Sequence, residues 1–247
     1  MDKVEPWEDG KRTEAKRGYT EWWYFDAEME DETRIGLNYS TNSPSGEQED
    51  GYHPFVYINI QQPDGQVIQD NIMFGNDDIS FGEGSCDVRI GTHWAKGNLK
   101  NYEIHYDPVN GIGADLKMKS TSSPWRPGTA YFTFGNGDEN DKFFTWLCAM
   151  PKGEVEGTIT VNGETRSVKG QAYHDHQWGS TQHIFVWNHW LWARQYTEDF
   201  SILMFDFVAR KEYGYKKFPV FCLQDKEGNI IFENTRDVKY EVLEEYV

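Results

Sequence analysis

Short runs in which apolar and polar side chains alternate recur along nearly the whole chain, with turn residues between them. This period of two is typical of strands that bury one face. We predict strands at 21–28, 34–39, 55–61, 68–74, 86–90, 93–99, 102–107, 114–119, 131–134, 142–150, 155–161, 167–178, 184–195, 200–210 and 220–224. No run keeps a helical period for more than about three turns. The pattern therefore predicts an all-β antiparallel barrel or sandwich.

Turns and loops divide this pattern into units. Asn-Gly pairs at 110–111 and 162–163 fit tight hairpin turns, and the polar segment 40–52 is predicted to be a mobile surface loop. The segment 236–247 has the pattern of one more strand, with no partner after it. We divide the chain into an N-terminal extension (1–20), a β-domain (21–180) and the start of a second β-domain (181–247).

Composition and charge exclude several classes of protein. The 247 residues include 15 Phe, 10 Trp and 14 Tyr, too many for a disordered chain. The formal net charge of −17 argues against nucleic-acid binding. No stretch approaches the ~20 apolar residues of a membrane helix, so we expect no stable membrane insertion.

Cysteine usage and the N-terminus indicate the compartment. The three cysteines, Cys86, Cys148 and Cys222, are far apart and odd in number, which favours neither a disulfide framework nor a zinc ribbon. The first twenty residues are charged and lack the apolar core of a secretory signal. We therefore expect a cytoplasmic protein, unless a signal was removed before residue 1.

Two histidines and a tryptophan share one face of the predicted strand 167–178. In an extended chain His174, His176 and Trp178 point to the same side. The spacing is similar to the H-x-H of cupins, but no carboxylate follows where the third metal ligand would stand, so we expect no metal. An acid–base site remains one interpretation. The other is a hydrogen-bonded group that fixes strands in the core.

Aromatic residues are also dense in the predicted strand 184–195. Trp190, Trp192 and Arg194 share one face there. One interpretation is core packing with an arginine stacked on indole. The other is an aromatic wall of a ligand pocket.

One carboxyl, Asp206, lies in a predicted strand that is apolar on both faces. Its own face carries Ile202, Met204 and Val208. Because burial disfavours the charged form of a carboxyl, Asp206 is a candidate neutral proton donor near pH 7. The alternative is a structural ion pair with Arg194 or a contact with the backbone.

Two blocks carry a resemblance to a known family. EWWYFDA at 21–27 and YHDHQWG at 173–179, in this order and about 150 residues apart, are similar to the signature blocks of the AttH/CrtC family. That family includes carotenoid 1,2-hydratase, kievitone hydratase and lipocalin-like Diels–Alderases. The resemblance covers about 20–235. It implies a two-domain lipocalin-like (calycin-type) fold, a hydrophobic pocket near the domain junction and no cofactor.

The resemblance also implies roles for individual residues. It makes Asp206, His176 and Trp178 the catalytic group. The residues expected to bind substrate are Trp23, Tyr24, His174, Trp190, Trp192, Arg194 and Met204. Met204 stands where the hydratases carry a tyrosine, which counts against hydration in particular. The short second domain implies either a truncated barrel or one completed in a homo-oligomer.

These observations together predict a cofactor-independent lyase or isomerase. It would act on C=C bonds of a large hydrophobic isoprenoid, polyene or polyketide-type substrate. In a hydratase, Asp206 would protonate the alkene, Trp178, Trp190 and Trp192 would stabilise the cation, and His176 would orient Asp206 or activate water. In a cyclase, the pocket would fold the polyene while Trp, Tyr or His donors polarise a carbonyl. The alternative is a non-catalytic lipocalin-like carrier of a lipid or pigment.

Overall fold

Antiparallel strands make up most of the structure, a computed structural model that describes residues 3–42, 50–135, 141–241 and 243. Within these ranges there are sixteen strands and four short 3-10 turns. The strands are β1 (Thr20–Met29), β2 (Arg34–Ser40), β3 (Phe55–Gln61), β4 (Val67–Met73), β5 (Ile79–Phe81), β6 (Asp87–Ile90), β7 (His93–Gly97), β8 (Asn101–Val109), β9 (Ile112–Ser120), β10 (Tyr131–Phe134), β11 (Lys142–Val161), β12 (Glu164–Gly179), β13 (Trp187–Tyr196), β14 (Phe200–Ala209), β15 (Lys217–Asp225) and β16 (Ile230–Asn234).

The strands form two sheets. The large sheet has the order β4-β3-β2-β1-β12-β11-β9-β8-β7-β6-β5, with β10 paired to β11, and it curls into a half-barrel. The small sheet is a four-stranded meander, β13-β14-β15-β16. This architecture confirms the predicted all-β, lipocalin-like fold. No helix in the described ranges has the length and hydropathy needed to cross a bilayer.

Each face of the large sheet buries its own core, because side chains alternate along β1 and its neighbours. The concave face holds the barrel core, which includes Trp23, Phe25, Leu37, Ile58 and Tyr102. The convex face meets the small sheet in the inter-sheet core. Its principal side chains are Trp125, Phe132, Phe144, Trp146, Tyr173, Trp187, Phe205 and Phe207.

Most predicted strand boundaries lie within three residues of the observed ones, and two differences have a clear structural cause. The runs 142–150 and 155–161 belong to a single strand, β11, whose register shifts on either side of Met150. Pro151 lies inside the shifted stretch, where the missing N–H does not interrupt a regular ladder. The run 184–195 becomes a strand only from Trp187, because His183–Phe185 forms a 3-10 turn.

Short edge strands and the C-terminal segment were harder to predict. β5 and β16 are edge strands of three and five residues, too short for their alternation to stand out. The prediction of a strand over 236–247 was wrong for 236–241, where the chain is irregular. Of the predicted loop 40–52, residues 43–49 lie outside the described residues. The division of the chain at 180 stays a prediction.

Candidate functional site

The two predicted-site histidines lie inside the barrel core. The His174 ring stacks on Phe25 with centroids 4.0 Å apart, and its Nε2 is 3.1 Å from Asp9 Oδ1. The His176 ring stacks on Trp23 at 4.6 Å, and its Nε2 is 2.8 Å from Glu21 Oε1. Both imidazoles are fully buried. Their other ring nitrogens face backbone carbonyls, so each histidine has two polar partners.

The acidic partners of these histidines come from the N-terminal segment and the start of β1. Glu21 also accepts hydrogen bonds from the backbone N–H groups of Arg12 and Thr13, at 2.7 and 2.8 Å. Asp9 accepts a hydrogen bond from the Tyr102 hydroxyl at 2.7 Å. The polar groups of this cluster therefore satisfy one another, as buried polar groups in a core generally do. Asp9 and Glu21 were not predicted as site residues. The available signal was indirect, because two histidines on one buried strand face need hydrogen-bond partners.

Trp178 belongs to the same side of the large sheet. Its ring lies 4.7 Å from that of His176, and it packs with Leu147 and Ala149 in a small satellite core. Trp23, expected to bind substrate, is fully buried between His176 and Phe81. These aromatic side chains fill the core.

One group of buried residues in the described ranges has the ligand types of a metal site: Asp9, Cys86 and His174, with ligand atoms within 4.8 Å of one another. Two of the three, Asp9 and His174, already pair with each other. Burial, together with the nearby Asp9 charge, raises the pKa of the Cys86 thiol well above its usual range, which keeps it in the poorly ligating protonated form.

Asp206 lies on the other sheet and points away from the large sheet. Its neighbours along β14, Phe205 and Phe207, are in the inter-sheet core, so Asp206 and Met204 occupy the opposite face. Asp206 Oδ2 accepts a hydrogen bond from the Tyr240 hydroxyl at 2.8 Å and lies 3.7 Å from Lys217 Nζ.

The predicted catalytic group is therefore not assembled. Asp206 is on the outer face of the small sheet, whereas His176 and Trp178 are on the concave side of the large one. The expectation that His176 orients Asp206 needs correction. The physical reason is that β14 is apolar on both faces, so its sequence pattern does not say which face meets the other sheet. The alternative pairing of Asp206 with Arg194 is not formed either.

A cavity of about 440 Å³ lies between the two sheets. Its floor comes from the convex face of β1, β2 and β12, and its roof from β13 and β14. The lining side chains are Thr20, Trp22, Tyr24, Asn38, Ser40, Asn42, Phe55, Phe144, Asp175, Gln177, Gln182, His183, Trp187, Trp190, Trp192, Phe205 and Phe207. Of the residues expected to bind substrate, Tyr24, Trp190 and Trp192 line it, whereas Trp23, His174 and Met204 do not. Its size is within the usual range for small-molecule sites.

The floor of the cavity carries a row of polar side chains set by strand register. Asn38, Tyr24 and Asp175 are directly paired across β2, β1 and β12. The next row on the same face pairs Trp22 with Gln177. The roof is mainly aromatic, and Trp22, Phe55 and Phe144 of the large sheet add apolar surface around this polar row.

Asp175 is the carboxyl that lines the cavity. It is almost fully buried. Its Oδ2 accepts hydrogen bonds from the Tyr173 hydroxyl at 2.8 Å and Trp146 Nε1 at 3.1 Å, and its Oδ1 accepts one from Gln177 Nε2 at 3.0 Å. Burial raises the pKa of Asp175, and the three hydrogen bonds oppose that rise. Asp175 was present in the YHDHQWG block, on the face opposite to the histidines.

His183 is a second titratable group at the cavity. Its ring contacts Trp22 and Trp190 edge-on, at 5.5 and 5.8 Å. Burial lowers its pKa, so the neutral imidazole is favoured. His183 and Asp175 therefore supply a basic and an acidic group to the same space. The 3-10 turn that places His183 has no distinctive sequence signal, so His183 was not predicted as a site residue.

Arg194 connects the two sheets beside the cavity. Its guanidinium donates to both carboxylate oxygens of Asp26, at 3.1 and 2.7 Å. It also lies over the rings of Tyr173 and Trp192, at 4.6 and 5.1 Å. Burial raises the pKa of Asp26, and the Arg194 charge counteracts the rise. Arg194 thus holds the roof strand against the floor strand.

Solved structures share this fold at low sequence identity. The chain superposes on an AttH protein from Nitrosomonas europaea with a TM-score of 0.68 and 16% identity, over 95% of this chain and 73% of that one. Kievitone hydratase from Nectria haematococca gives 0.58 and 15%, over 87% and 63%. CghA with Sch210972 gives 0.64 and 14%, over 96% and 69%. The chain thus spans about two thirds of the length of these proteins.

Sequence comparison identifies the family. None of the curated protein sequences matches this chain at a significant level. The model of the Diels-Alderase-like family matches residues 11–247, nearly the whole chain. This match and the structural neighbours confirm the resemblance carried by the blocks at 21–27 and 173–179. The chain belongs to the Diels-Alderase-like family.

Proposed function

We propose that this protein is a cofactor-independent enzyme that acts on C=C bonds of a hydrophobic, polyene-type substrate bound in the inter-sheet cavity. The observation that carries the proposal is a cavity of about 440 Å³ with an aromatic roof and a buried carboxyl, Asp175, in its floor. The names of its relatives support the reaction class: the family is described as Diels-Alderase-like, and one structural neighbour is a hydratase.

The two cavity walls suit different parts of such a reaction. Trp190, Trp192 and Phe205 present aromatic side chains, which bind an unsaturated chain and stabilise a developing cation by about 0.5–2 kcal/mol per favourable ring contact. Burial raises the pKa of Asp175 above that of an ordinary carboxyl, and in the proposed acid-catalysed reaction Asp175 donates a proton to the alkene. The neutral His183 imidazole accepts a proton from the attacking water in a hydration.

A cyclisation uses the same walls without net proton transfer. The aromatic roof and the narrow space hold a flexible polyene in a folded conformer, so that its reacting carbons are close before the reaction starts. Proximity of this kind supplies several kcal/mol, up to about 7–11 in ideal cases. The description of the family as Diels-Alderase-like favours cyclisation or isomerisation over hydration.

This proposal moves the proton donor from Asp206 to Asp175. Asp206 faces Tyr240 and Lys217 on the far side of the small sheet, whereas Asp175 faces the cavity. His176 and Trp178 belong to β12, but their side chains lie on its concave face, opposite to the cavity. They act as structural residues under this proposal.

The test compares Asp175→Asn with Asp206→Asn on acyclic polyene probes: pseudoionone, farnesylacetone and all-trans-retinal. Products are followed by mass spectrometry, with unchanged mass for cyclisation or isomerisation and a gain of one water for hydration. We expect Asp175→Asn to lower turnover of an acid-catalysed reaction by about 100-fold or more while binding is retained. Asp206→Asn should stay within about threefold of the wild type.

Three results would contradict the proposal in different ways. Loss of turnover in Asp206→Asn but not in Asp175→Asn would return the proton donor to the small sheet's outer face. Binding of the probes by the wild type without any product would support the lipocalin-like carrier. Absence of binding of every probe would show that the cavity is not a site for hydrophobic ligands.

A further inference from the structure

Two surface turns meet at one end of the small sheet. The 3-10 turn His183–Phe185 precedes β13, and a loop of residues 210–216 joins β14 to β15. Because these strands are antiparallel neighbours, both turns lie at the same end of the sheet. The Arg210 side chain and backbone N–H donate to the carbonyls of Ile184 and Val186, each at 2.9 Å. The turns thus form one continuous surface, here called the turn surface, whose exposed side chains are Ile184, Phe185, Arg210, Lys211, Tyr215 and Lys216.

The turn surface exposes apolar and aromatic side chains next to the cavity. Ile184 and Phe185 are each 42% exposed, and Tyr215 is 51% exposed. Beside them, Trp190 contacts His183 edge-on, lines the cavity and is 53% exposed. A side chain that lines a cavity and is also exposed to solvent marks the mouth of that cavity. Exposed apolar side chains grouped in this way are typical of an interaction site.

The turn surface is also basic, although the whole chain has a formal net charge of −17. Arg210, Lys211 and Lys216 are exposed there, and Glu212 is the acidic residue of the loop. Glu212 lies 3.8 Å from the Arg210 guanidinium. In the part of the chain that the structure describes, neither Lys211 nor Lys216 forms an ion pair. Their ammonium groups are therefore available to an anionic partner.

Another basic segment of the chain, 11–17, has a different environment. Lys11 lies 3.3 Å from a carboxylate oxygen of Glu83, and Lys16 pairs with Glu14. Those charges serve contacts within the protein. The turn surface differs because its lysines are unpaired and lie beside exposed apolar side chains.

This combination of side chains fits a lipid surface. Lysine and arginine are attracted to anionic headgroups, whereas aromatic and aliphatic side chains enter the layer between headgroups and acyl chains. A nucleic acid would pair the lysines but leave Ile184 and Phe185 in water. A bilayer accounts for both kinds of side chain.

We propose that the turn surface docks on an anionic lipid bilayer, with Lys211 and Lys216 at the headgroups and Ile184 and Phe185 below them. The mouth of the cavity at Trp190 then faces the lipid, so a hydrophobic ligand enters without crossing water. The acidic remainder of the chain is repelled by the same bilayer, which favours this orientation and makes docking reversible. The inference goes beyond the proposed function, because the docking side chains take no part in the reaction.

The experiment measures co-sedimentation of the full chain with lipid vesicles in the absence of substrate. One set of vesicles is phosphatidylcholine, and the other is an equimolar mixture of phosphatidylcholine and phosphatidylglycerol. We expect the wild type to bind the anionic vesicles about tenfold or more tightly, with an affinity that falls as salt is added. Lys211→Gln/Lys216→Gln should weaken this binding by about 10- to 30-fold. Lys117→Gln/Lys119→Gln removes the same charge from exposed positions on β9 and should stay within about threefold of the wild type.

The apolar contribution is tested separately. Ile184→Ser/Phe185→Ser keeps every charge, and we expect it to weaken binding to the anionic vesicles by about tenfold. Val67→Ser changes an apolar side chain on β4 that is 54% exposed, and it should leave vesicle binding unchanged.

Several results would overturn the inference. They are equal binding to both kinds of vesicle, binding to neither, and equal losses in the turn-surface variants and their controls. Binding to heparin or duplex DNA but not to vesicles would assign the surface to a polyanionic macromolecule instead. If the variants do not fold, hydrogen exchange of the wild type with anionic vesicles gives the second measurement. Protection of 184–186 and 210–216 supports the inference, and protection confined to other segments contradicts it. None of these results depends on turnover, so they leave the proposed function to its own test.

Discussion

The two faces of β1 and β12 carry similar residue types with opposite outcomes. On the concave face, Trp23 and His176 stack in a closed core, and Glu21 and Asp9 satisfy the imidazoles. On the convex face, Tyr24, Asp175 and their neighbours form the floor of a cavity. The difference lies in what covers each face: the curled sheet and the N-terminal segment on one side, and only a four-stranded sheet on the other.

Aromatic and histidine content does not distinguish the two faces. The concave cluster around His174 and His176 has its polar side chains paired with one another, whereas buried atoms of Asn38, Trp187 and Trp192 at the convex cavity have no protein partner. Tyr106 in the barrel core and Asp206 also keep an unpaired buried atom, so this feature marks the cavity only together with its shape. We expect substitutions in the concave cluster to affect stability, and substitutions of the cavity-lining groups to affect mainly binding and turnover.

The largest loss of stability should follow from removing a hydrogen-bond acceptor from the concave cluster. Glu21→Ala removes the acceptor of His176 Nε2 and of two backbone N–H groups, which stay buried without a partner. We expect a loss of about 3–5 kcal/mol in the free energy of unfolding, measured by urea denaturation. Glu28→Ala, an exposed carboxylate on the same strand, should cost less than about 1 kcal/mol. If Glu21→Ala lost no more stability than the Glu28→Ala control, the cluster would not hold the N-terminal segment.

Breaking the ion pair that links the two sheets should have a smaller effect on stability. Arg194→Met leaves the buried carboxylate of Asp26 unpaired and removes the link between the sheets. We expect about 2–3 kcal/mol of destabilisation, less than for a fully buried pair because both side chains are partly exposed. The double variant Asp26→Asn/Arg194→Met should recover part of the loss. Recovery of none would mean that Arg194 acts through its ring contacts alone.

A still smaller effect concerns the pH dependence of stability. Burial raises the pKa of Asp175 above its ordinary value of 3.8, so between the two pKa values the folded protein binds the proton more tightly than the unfolded chain. The contribution of Asp175 to stability therefore decreases as pH rises through that window. The stability of Asp175→Asn relative to the wild type should increase over the same window and then level off.

Asp225 is a control whose pKa is shifted in the opposite direction to that of Asp175. Hydrogen bonds from Asn229 lower its pKa, so its contribution is present above pH 3.8 and is lost as pH falls. The stability of Asp225→Asn relative to the wild type should thus decrease with rising pH. Curves of the same sign for both variants, measured by thermal unfolding across pH, would contradict the burial of an acidic group at the cavity.

Local sequence patterns predicted the strands and the alternation within them well. Strand parity placed Tyr24 and Asp175 on the face opposite to Trp23 and His176, and the structure agrees. The alternation of side chains along a strand did not indicate which of these two faces is the closed core, because both carry aromatic side chains. The sequence-based site therefore mixed residues from the two sides of one sheet.

The features that were not predicted depend on contacts between segments far apart in the sequence. The partners of the histidines, Asp9 and Glu21, are 165 and 155 residues away in sequence. Asp206 was predicted from its apolar strand, but its neighbour Tyr240 comes from a segment after the last strand. No local pattern encodes such pairings, since they depend on how the two sheets and the chain ends pack.

The central claim is that ligand binds on the convex face, between the sheets. Photoaffinity labelling with pseudoionone carrying a diazirine, followed by peptide mapping, tests it most directly. We predict that fragmentation of the labelled peptides assigns the label to Tyr24, Trp190, Trp192 or Phe205, with competition by unlabelled pseudoionone. Competable labelling confined to barrel-core residues such as Ile58 and Tyr102, or to Met204 and Phe221 on the outer face of the small sheet, would contradict the account.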